Sequence, residues 1–197
     1  MLANIALDVD GILTDFDGHW RQCAERVLDR AVSPVSGHHH LRERYALTRP
    51  EYDLVWDAFH ADEWHRLPLY LHAADLVLAL EHLGCRVWAV TSVDHGHAAA
   101  RAASLAGLIP AKRVVCVGHA ASPDDKADVL YGLGAIAFLD DHPANVNASL
   151  GIVLASVLLD RGYEGLEAPE HGATVIDDPM DFPVLVEQLL QRMGRAA

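Results

Sequence analysis

Residues 3–15 read ANIALDVDGILTD, an apolar run that ends on two aspartates, Asp8 and Asp10, with Gly11 after them. A short apolar run bounded by a turn signal is typical of a strand buried in a sheet. We therefore predict a strand over Ala3–Leu7, with both carboxylates just beyond its carboxyl end. Because alternate residues of an extended segment point to the same side, Asp8 and Asp10 can reach the same space.

Similar apolar runs recur along the chain, and helical patterns separate them. The predicted strands are Val87–Val90, Arg113–Val117 and Ala135–Leu139, with weaker candidates at Ile152–Leu159 and Thr174–Ile176. The predicted helices are Leu71–Leu83, His97–Ala106, Pro123–Leu133 and Phe182–Met193. Strands that alternate with helices favour a parallel sheet covered on both faces. The predicted fold class is therefore α/β, with a doubly wound parallel sheet.

The stretch between residues 17 and 66 interrupts this alternation. It is rich in His, Trp and Arg, and it carries helical patterns at Glu25–Asp29 and Glu51–Phe59 without a strand pattern. We predict a small helical cap over residues 17–66, inserted into an α/β core formed by residues 1–16 and 67–197.

Composition limits the partners and the compartment. The 197 residues carry 28 acidic side chains against 15 Lys and Arg, which gives a formal net charge of −13. Nucleic-acid polymers and anionic membrane surfaces bind cationic faces, so we predict neither as a partner. No apolar run reaches the roughly 18–20 residues of a membrane span, and the first residues do not form a secretory signal. Three scattered cysteines suggest a reducing compartment, and we expect a cytoplasmic protein.

Polar residues follow three of the predicted strands at their carboxyl ends. They are Asp8 and Asp10, Thr91 and Ser92, and Asp140 and Asp141, with Lys126 on the helix that enters the last of these strands. In an open α/β sheet, ligands bind at the carboxyl ends of the strands. We therefore predict one site at this edge of the sheet.

The two N-terminal aspartates suit phosphoryl transfer. A carboxylate such as Asp8 can attack phosphorus and form an acyl phosphate, which splits one difficult displacement into two easier ones. A second carboxylate such as Asp10 can protonate the leaving oxygen and then deprotonate water. We predict that Thr91, Ser92 and the amides after them bind phosphate oxygens. Lys126 would offset the repulsion between phosphate and the carboxylates.

The acidic residues also suit a hard metal ion. Mg²⁺ prefers oxygen ligands and is usually held by one or two carboxylates together with substrate phosphate. Asp8 with Asp141 meets that need, and Asp140 would lie behind them.

At these residues the sequence resembles the haloacid dehalogenase-like superfamily. Its four motifs match in order: DVDGILTD at Asp8–Asp15, Thr91 at a strand end, Lys126, and the pair Asp140–Asp141. The resemblance covers about residues 1–16 and 67–160. It implies an aspartyl-phosphate mechanism, with Mg²⁺ held by the Asp8 carboxylate, the backbone carbonyl of Asp10 and the last motif. By that matching, Asp141 is the direct ligand and Asp140 an outer one.

Within the superfamily, the stretches DVDGILTDFDGHW, VTS and LDDHPANV are similar to those of the 5′(3′)-deoxyribonucleotidases. That group carries a small helical cap in the same place and dephosphorylates nucleoside monophosphates. The resemblance implies a Mg²⁺-dependent phosphatase that acts on a small phosphorylated metabolite, with a nucleoside monophosphate as the first choice. As alternatives, the substrate could be a sugar phosphate or a specialised metabolite, or the reaction could be that of a phosphomutase. Formation of a homodimer is also left open.

Other classes fit the motifs less well. A haloacid dehalogenase would also use Asp8, but it would need neither Asp10 nor Mg²⁺. A receiver domain carries its phosphorylated aspartate at the end of a middle strand, where this chain has Thr91. A binding protein on the same fold would be expected to have lost a motif, whereas all four are present.

Residues in and near the predicted cap have two interpretations. Phe16 and Trp20 follow the catalytic loop, and we predict them as substrate contacts. Trp56 and Trp64 are predicted as the core of the cap, because aromatic residues in a small helical unit usually pack together. The triplet His38–His40 is predicted as a solvated cap loop, since consecutive residues rarely converge on one metal ion.

Overall fold

A six-stranded parallel sheet forms the centre of the computed structural model, which describes residues 2–118 and 122–195. The strands are β1 (Ala3–Leu7), β2 (Cys85–Thr91), β3 (Val114–Cys116), β4 (Ala135–Asp140), β5 (Ala155–Leu159) and β6 (Thr174–Ile176). Their order is β3-β2-β1-β4-β5-β6, and neighbouring strands are parallel throughout. The predicted α/β class and parallel sheet are confirmed, and the two weaker strand candidates are both strands.

Helices connect the strands. They are α1 (Phe16–Leu28), α2 (Leu41–Arg44), α3 (Arg49–Asp62), α4 (Ala73–His82), α5 (Ala98–Ser104), α6 (Pro123–Leu133), α7 (Pro143–Ala148) and α8 (Asp181–Arg195). Side chains fix where two of them begin. Asp15 accepts a hydrogen bond from the Gly18 amide at 3.1 Å and so caps α1, and Thr48 forms a reciprocal capping box with Glu51 at the start of α3. None of the described helices is both long and apolar enough to cross a bilayer.

Both faces of the sheet are covered. The fully buried Leu7 belongs to the same apolar cluster as Leu76 of α4, on the face that α4 and α8 cover. Its neighbour Ala6 points the other way and belongs to the cluster of Leu130 on α6. This alternation is what a doubly wound sheet requires of a central strand, and it explains why β1 is apolar along nearly its whole length.

Helices α1 and α3 pack against each other around a third apolar cluster, which includes Trp20, Val55 and Phe59. Helix α1 begins at Phe16 and is therefore longer than the pattern at Glu25–Asp29 indicated. The division into a core and an inserted cap stays a prediction. We use the word cap below for residues 17–66.

Candidate active site

The carboxyl ends of β1, β2 and β4 meet at one edge of the sheet, around a cavity of about 430 Å³. Strand β1 lies between the other two, and the Asp8 amide donates to the Leu139 carbonyl oxygen of β4 at 2.8 Å. This pairing continues the ladder past the end of β1 and places the Asp8 side chain beside the end of β4. The following predicted residues line the cavity: Asp8, Asp10, Phe16, Thr91, Ser92, Lys126, Asp140 and Asp141.

Lys126 is a buried cation at the base of this cavity. Its Nζ lies 2.6 Å from Asp8 Oδ1 and 2.8 Å from Asp140 Oδ2. Burial lowers the pKa of Lys126, but the charges of Asp140 and Asp8 more than compensate and raise it above its ordinary value. The ammonium therefore stays charged throughout the neutral range and holds the two carboxylates together.

Asp140 is fully buried and receives hydrogen bonds from several donors. Besides Lys126, its carboxylate accepts from the His142 amide at 2.8 Å and from Asn145 Nδ2 at 3.0 and 3.2 Å. Both oxygens are thus engaged by protein groups. Asp140 is therefore suited to orient its neighbours, whereas Asp141 has more capacity left for a ligand.

Asp141 lies against the loop that follows β1. Its Oδ2 accepts a hydrogen bond from the Tyr163 hydroxyl at 3.0 Å. A Cβ built on Gly11 would lie 1.8 Å from the same oxygen, and Gly11 has φ +79°, so two constraints require glycine there. Burial, together with the charges of Asp140 and Asp8, raises the pKa of Asp141 well above its ordinary value.

Three carboxylates of this group could hold a metal ion. Ligand atoms of Asp8, Asp140 and Asp141 all lie within 4.8 Å of one another. Burial raises the pKa of Asp8 to about 7, although Lys126 opposes the shift. One buried ammonium cannot balance three buried carboxylates, so a divalent cation would relieve the remaining repulsion. Because all the donors are hard oxygens, the residues fit Mg²⁺.

Asp10 belongs to the loop after β1 and also lines the cavity. Its Oδ1 accepts a hydrogen bond from Thr14 Oγ1 at 3.0 Å and forms an ion pair with Nη2 of Arg101 on α5. Thr91, at the end of β2, is 1% exposed. The structure therefore brings two carboxylates and a threonine to the same cavity from two neighbouring strands.

Aromatic side chains of the cap and of the segments next to it form the facing wall. Phe16, Trp56 and Trp64 line the cavity, together with Tyr52 and Tyr70. The rings of Trp56 and Trp64 also contact Phe59 inside the cap, at centroid distances of 5.5 and 5.0 Å. These two tryptophans therefore belong to the packed interior of the cap, as predicted, and to the cavity wall as well.

One expectation for the cap needs correction, and one needs an addition. Trp20 is fully buried, and its ring packs on Tyr45 at 5.8 Å inside the cap rather than on the cavity wall, so it offers no surface to a substrate. The histidine loop is partly exposed, as predicted, but His39 lines the cavity. Its ring contacts His142 at 4.8 Å and Tyr163 at 5.1 Å.

Several further residues of the site escaped the sequence analysis. Arg44 lines the cavity, pairs with Asp17 at 2.8 Å and lies over the Tyr163 ring at 4.9 Å. Arg161 donates through Nε to the Gly11 carbonyl oxygen at 2.8 Å, and so supports the loop after β1. Arg44 follows no strand end. Arg161 lies just after β5, but only the packing of distant segments brings its side chain to Gly11.

No family model matches the sequence, and the search of curated proteins found no significant match. Solved structures do resemble it. A HAD family hydrolase from Deinococcus radiodurans R1, with bound phosphate and sodium, superposes with a TM-score of 0.61 at 16% identity, over 95% of this chain and 96% of that chain. A predicted phosphoglycolate phosphatase from Haemophilus somnus 129PT gives 0.64 at 16% identity, over 94% and 98%.

The L-2-haloacid dehalogenase of Xanthobacter autotrophicus, with chloropropionic acid covalently bound, gives a TM-score of 0.57 at 19% identity, over 94% of this chain and 98% of that one. At such identities the likeness establishes the fold, which is that of the haloacid dehalogenase-like hydrolases. Because the same fold carries proteins described as a phosphatase and as a dehalogenase, the reaction has to be argued from the site.

Proposed function

We propose that this protein is a Mg²⁺-dependent phosphomonoesterase that forms an aspartyl phosphate on Asp8. The observation that carries the proposal is the placement of Asp8 and Asp10 on one cavity, with Lys126 bonded to Asp8. A nucleophile, a proton carrier and a fixed cation are the groups that a two-step phosphate transfer requires.

In the first step, Asp8 attacks the phosphorus atom of the substrate. Lys126 is bonded to Oδ1, which leaves Oδ2 as the attacking oxygen. A bond forms between Oδ2 and phosphorus as the bond between phosphorus and the ester oxygen breaks. Asp10 gives its proton to that oxygen, and the alcohol leaves.

In the second step, a water molecule attacks the phosphorus of the aspartyl phosphate and gives a proton to Asp10. The bond between phosphorus and Oδ2 breaks, so that inorganic phosphate leaves and both aspartates return to their starting states. The same side chain thus serves as acid and then as base, because the second step reverses the direction of proton transfer.

The phosphate group of the substrate would lie against Thr91, Ser92 and Lys126. A bound Mg²⁺, held by the carboxylates of Asp8 and Asp141 and the carbonyl of Asp10, would supply further positive charge to the phosphate oxygens. Asp140 would keep its place behind them through Lys126 and Asn145.

Two observations favour phosphate transfer over carbon–halogen cleavage. Asp10 lines the cavity and is held by Thr14 and Arg101, whereas a dehalogenase needs no acid at that point. The buried carboxylates also form a set that suits a divalent cation. A phosphomutase would use the same groups, so a product assay with sugar phosphates separates the two activities.

For the substrate we propose a nucleoside monophosphate. The support comes from the aromatic wall, because Phe16, Trp56 and Trp64 offer faces on which a base or sugar can pack. The cavity volume of about 430 Å³ falls within the usual range for small-molecule sites. A sugar phosphate or another metabolite remains the alternative.

Replacement of the nucleophile tests the reaction. Asp8→Asn should abolish the release of phosphate from p-nitrophenyl phosphate with Mg²⁺ at about pH 7, because an amide cannot attack phosphorus. The matched control is Asp128→Asn, which removes an exposed carboxylate on α6. Retained activity in Asp8→Asn would contradict the proposal.

A phosphate-release screen tests the substrate. We expect higher kcat/KM for nucleoside monophosphates than for sugar phosphates, both measured with Mg²⁺. A preference for sugar phosphates would overturn the nucleotidase assignment while leaving the phosphatase assignment intact.

The cytoplasm remains the expected compartment. Cys23, Cys85 and Cys116 are all free and buried, which suits a reducing environment. Formation of a homodimer stays a prediction.

A further inference from the structure

We infer that Arg101 is a positioning residue that holds the Asp10 carboxylate in the orientation required for proton transfer. The inference rests on the proposed function, since it concerns how the acid/base residue of that reaction is kept in place. Arg101 does not line the cavity, so it would act through Asp10 rather than on the substrate.

Arg101 is an unusual residue for its helix. Helix α5 reads AAARAAS, and its arginine is 0% exposed. Within the described residues, none of its three guanidinium nitrogens has a hydrogen-bond partner, and its ionic contact is the pair between Nη2 and Asp10 Oδ1. A buried cation is costly unless it is paired. Asp10 therefore compensates the charge of Arg101 once it has given up its proton, and its Oδ1 still faces the guanidinium while Oδ2 carries that proton.

The guanidinium also lies over an aromatic ring of the cap. Its carbon lies 5.5 Å from the centroid of the Trp64 ring, and Trp64 is itself 6% exposed. The guanidinium is thus confined between an acidic group of the loop after β1 and an aromatic ring of the cavity wall. A cation enclosed in this way has little freedom to leave Asp10.

The two partners of Asp10 hold the same oxygen. Thr14 Oγ1 donates to Oδ1 at 3.0 Å, and Arg101 pairs with Oδ1 as well. Neither contact uses Oδ2, so these partners leave that oxygen available for exchange of a proton with the leaving group or water. With Oδ1 fixed by a buried threonine and a buried arginine, Oδ2 has a defined direction.

Substrates with different leaving groups separate this role from a merely structural one. The p-nitrophenolate ion leaves without a proton, whereas an alkoxide needs one from Asp10. In Arg101→Met, we expect kcat on an alkyl phosphate to fall about 100-fold with little change in KM, which is the effect that a small misplacement of a catalytic group can have. The first-turnover burst of p-nitrophenolate should stay near the wild-type rate. Steady turnover should slow, because Asp10 also activates the water.

Three further variants complete the experiment. Arg101→Lys should recover part of the lost kcat, because it restores a cation at the same position. Arg113→Met is the matched control, since Arg113 also pairs with an acid, Glu81, but contacts the Val87 carbonyl away from the cavity, and it should behave as wild type. The double variant Asp10→Asn/Arg101→Met should be no slower than Asp10→Asn alone, because Arg101 has nothing left to position.

Wild-type kcat on the alkyl phosphate in Arg101→Met would overturn the inference. So would an equal loss of the burst and of alkyl phosphate turnover, or a double variant slower than Asp10→Asn. If Arg101→Met does not fold, Arg101→Lys decides: a lower kcat at constant KM supports the inference, and wild-type kcat contradicts it. A wild-type protein that releases no phosphate from any ester would overturn the proposed function itself, whereas active wild type with unchanged Arg101 variants would overturn this inference alone.

Discussion

Lys126 Nζ lies 2.6 Å from Asp8 Oδ1, and both residues are almost completely buried at the carboxyl edge of the sheet. The two residues come from α6 and from the loop after β1, so the contact joins distant parts of the chain. The same ammonium lies 2.8 Å from Asp140 Oδ2. A single lysine thus holds the carboxylates of two strand ends together at buried positions.

Removal of this ammonium should lower stability as well as activity. In Lys126→Met, Asp8 and Asp140 lose their shared cation, and we expect a loss of about 3–5 kcal/mol in the free energy of unfolding, the usual cost of leaving a buried charge unpaired. Urea denaturation at pH 7 measures this loss in the free energy of unfolding. Lys112→Met removes an exposed lysine and should change stability by less than about 0.5 kcal/mol. Equal effects of the two variants would contradict the importance of the buried contact.

The raised pKa of Asp8 predicts how stability depends on pH without metal. Folding raises the pKa of Asp8 from 3.8 to about 7. Between these two pH values the folded state therefore binds more protons than the unfolded state. Stability should therefore fall as pH rises above about 4, and the part of the fall that is due to Asp8 should end near pH 7. Thermal melts in EDTA measure this dependence, and Asp8→Asn should make the fall in stability smaller.

Magnesium should reverse that trend. The metal competes with protons for the carboxylates, so Mg²⁺ should raise the melting temperature more at pH 8 than at pH 5. Calorimetry of the same samples should show protons released on binding at pH 6. An equal increase at both pH values would argue against a metal site on Asp8 and Asp141.

Gly11 should tolerate no side chain. In Gly11→Ala, the new Cβ would meet Asp141 Oδ2 at 1.8 Å, and the backbone has φ +79°. Gly84→Ala is a close control, because Gly84 has φ +76° but nothing within 4 Å of its Cβ position. We expect Gly84→Ala to lose only the strain of the left-handed conformation, about 1–2 kcal/mol.

Gly11→Ala should lose more stability than this control, and it should lose Mg²⁺ binding and phosphatase activity as well, since Asp141 must move. Unfolding curves and metal titrations on the two variants separate the effect of backbone strain, which both share, from the effect of the clash with Asp141. Intact metal binding in Gly11→Ala would show that the loop and Asp141 can move apart at little cost.

Tyr163 should tune the metal affinity through Asp141. Its hydroxyl donates to Asp141 Oδ2 at 3.0 Å, and Tyr163→Phe removes that bond while keeping the ring. Partners that orient a metal ligand typically contribute about 10- to 100-fold in affinity, so Mg²⁺ should bind more weakly by that range. Tyr131→Phe, on an exposed residue, should bind Mg²⁺ as wild type does. Unchanged affinity in Tyr163→Phe would mean that Asp141 is held by other contacts.

The sequence alone determined the sheet and the residues at its edge. The apolar run Ala3–Leu7 predicts a buried strand because burial on both faces selects apolar side chains at every position. Parallel strands then place Asp8, Thr91 and Asp140 at one edge, whatever the details of packing. This part of the site depends on local periodicity and on topology, and both can be read from the printed residues.

The tertiary structure decided what surrounds those residues. Arg101 lies in an alanine-rich segment whose pattern gives no sign that an arginine is buried, and Tyr163 lies in a polar loop after β5. Trp20 and Trp56 have the same residue type and lie in the same cap, yet one is enclosed in the cap and the other faces the cavity. The local pattern of apolar and polar residues indicates whether a position tends to be buried. Which distant group it meets there depends on how the helices and loops pack, and that is a property of the whole folded chain.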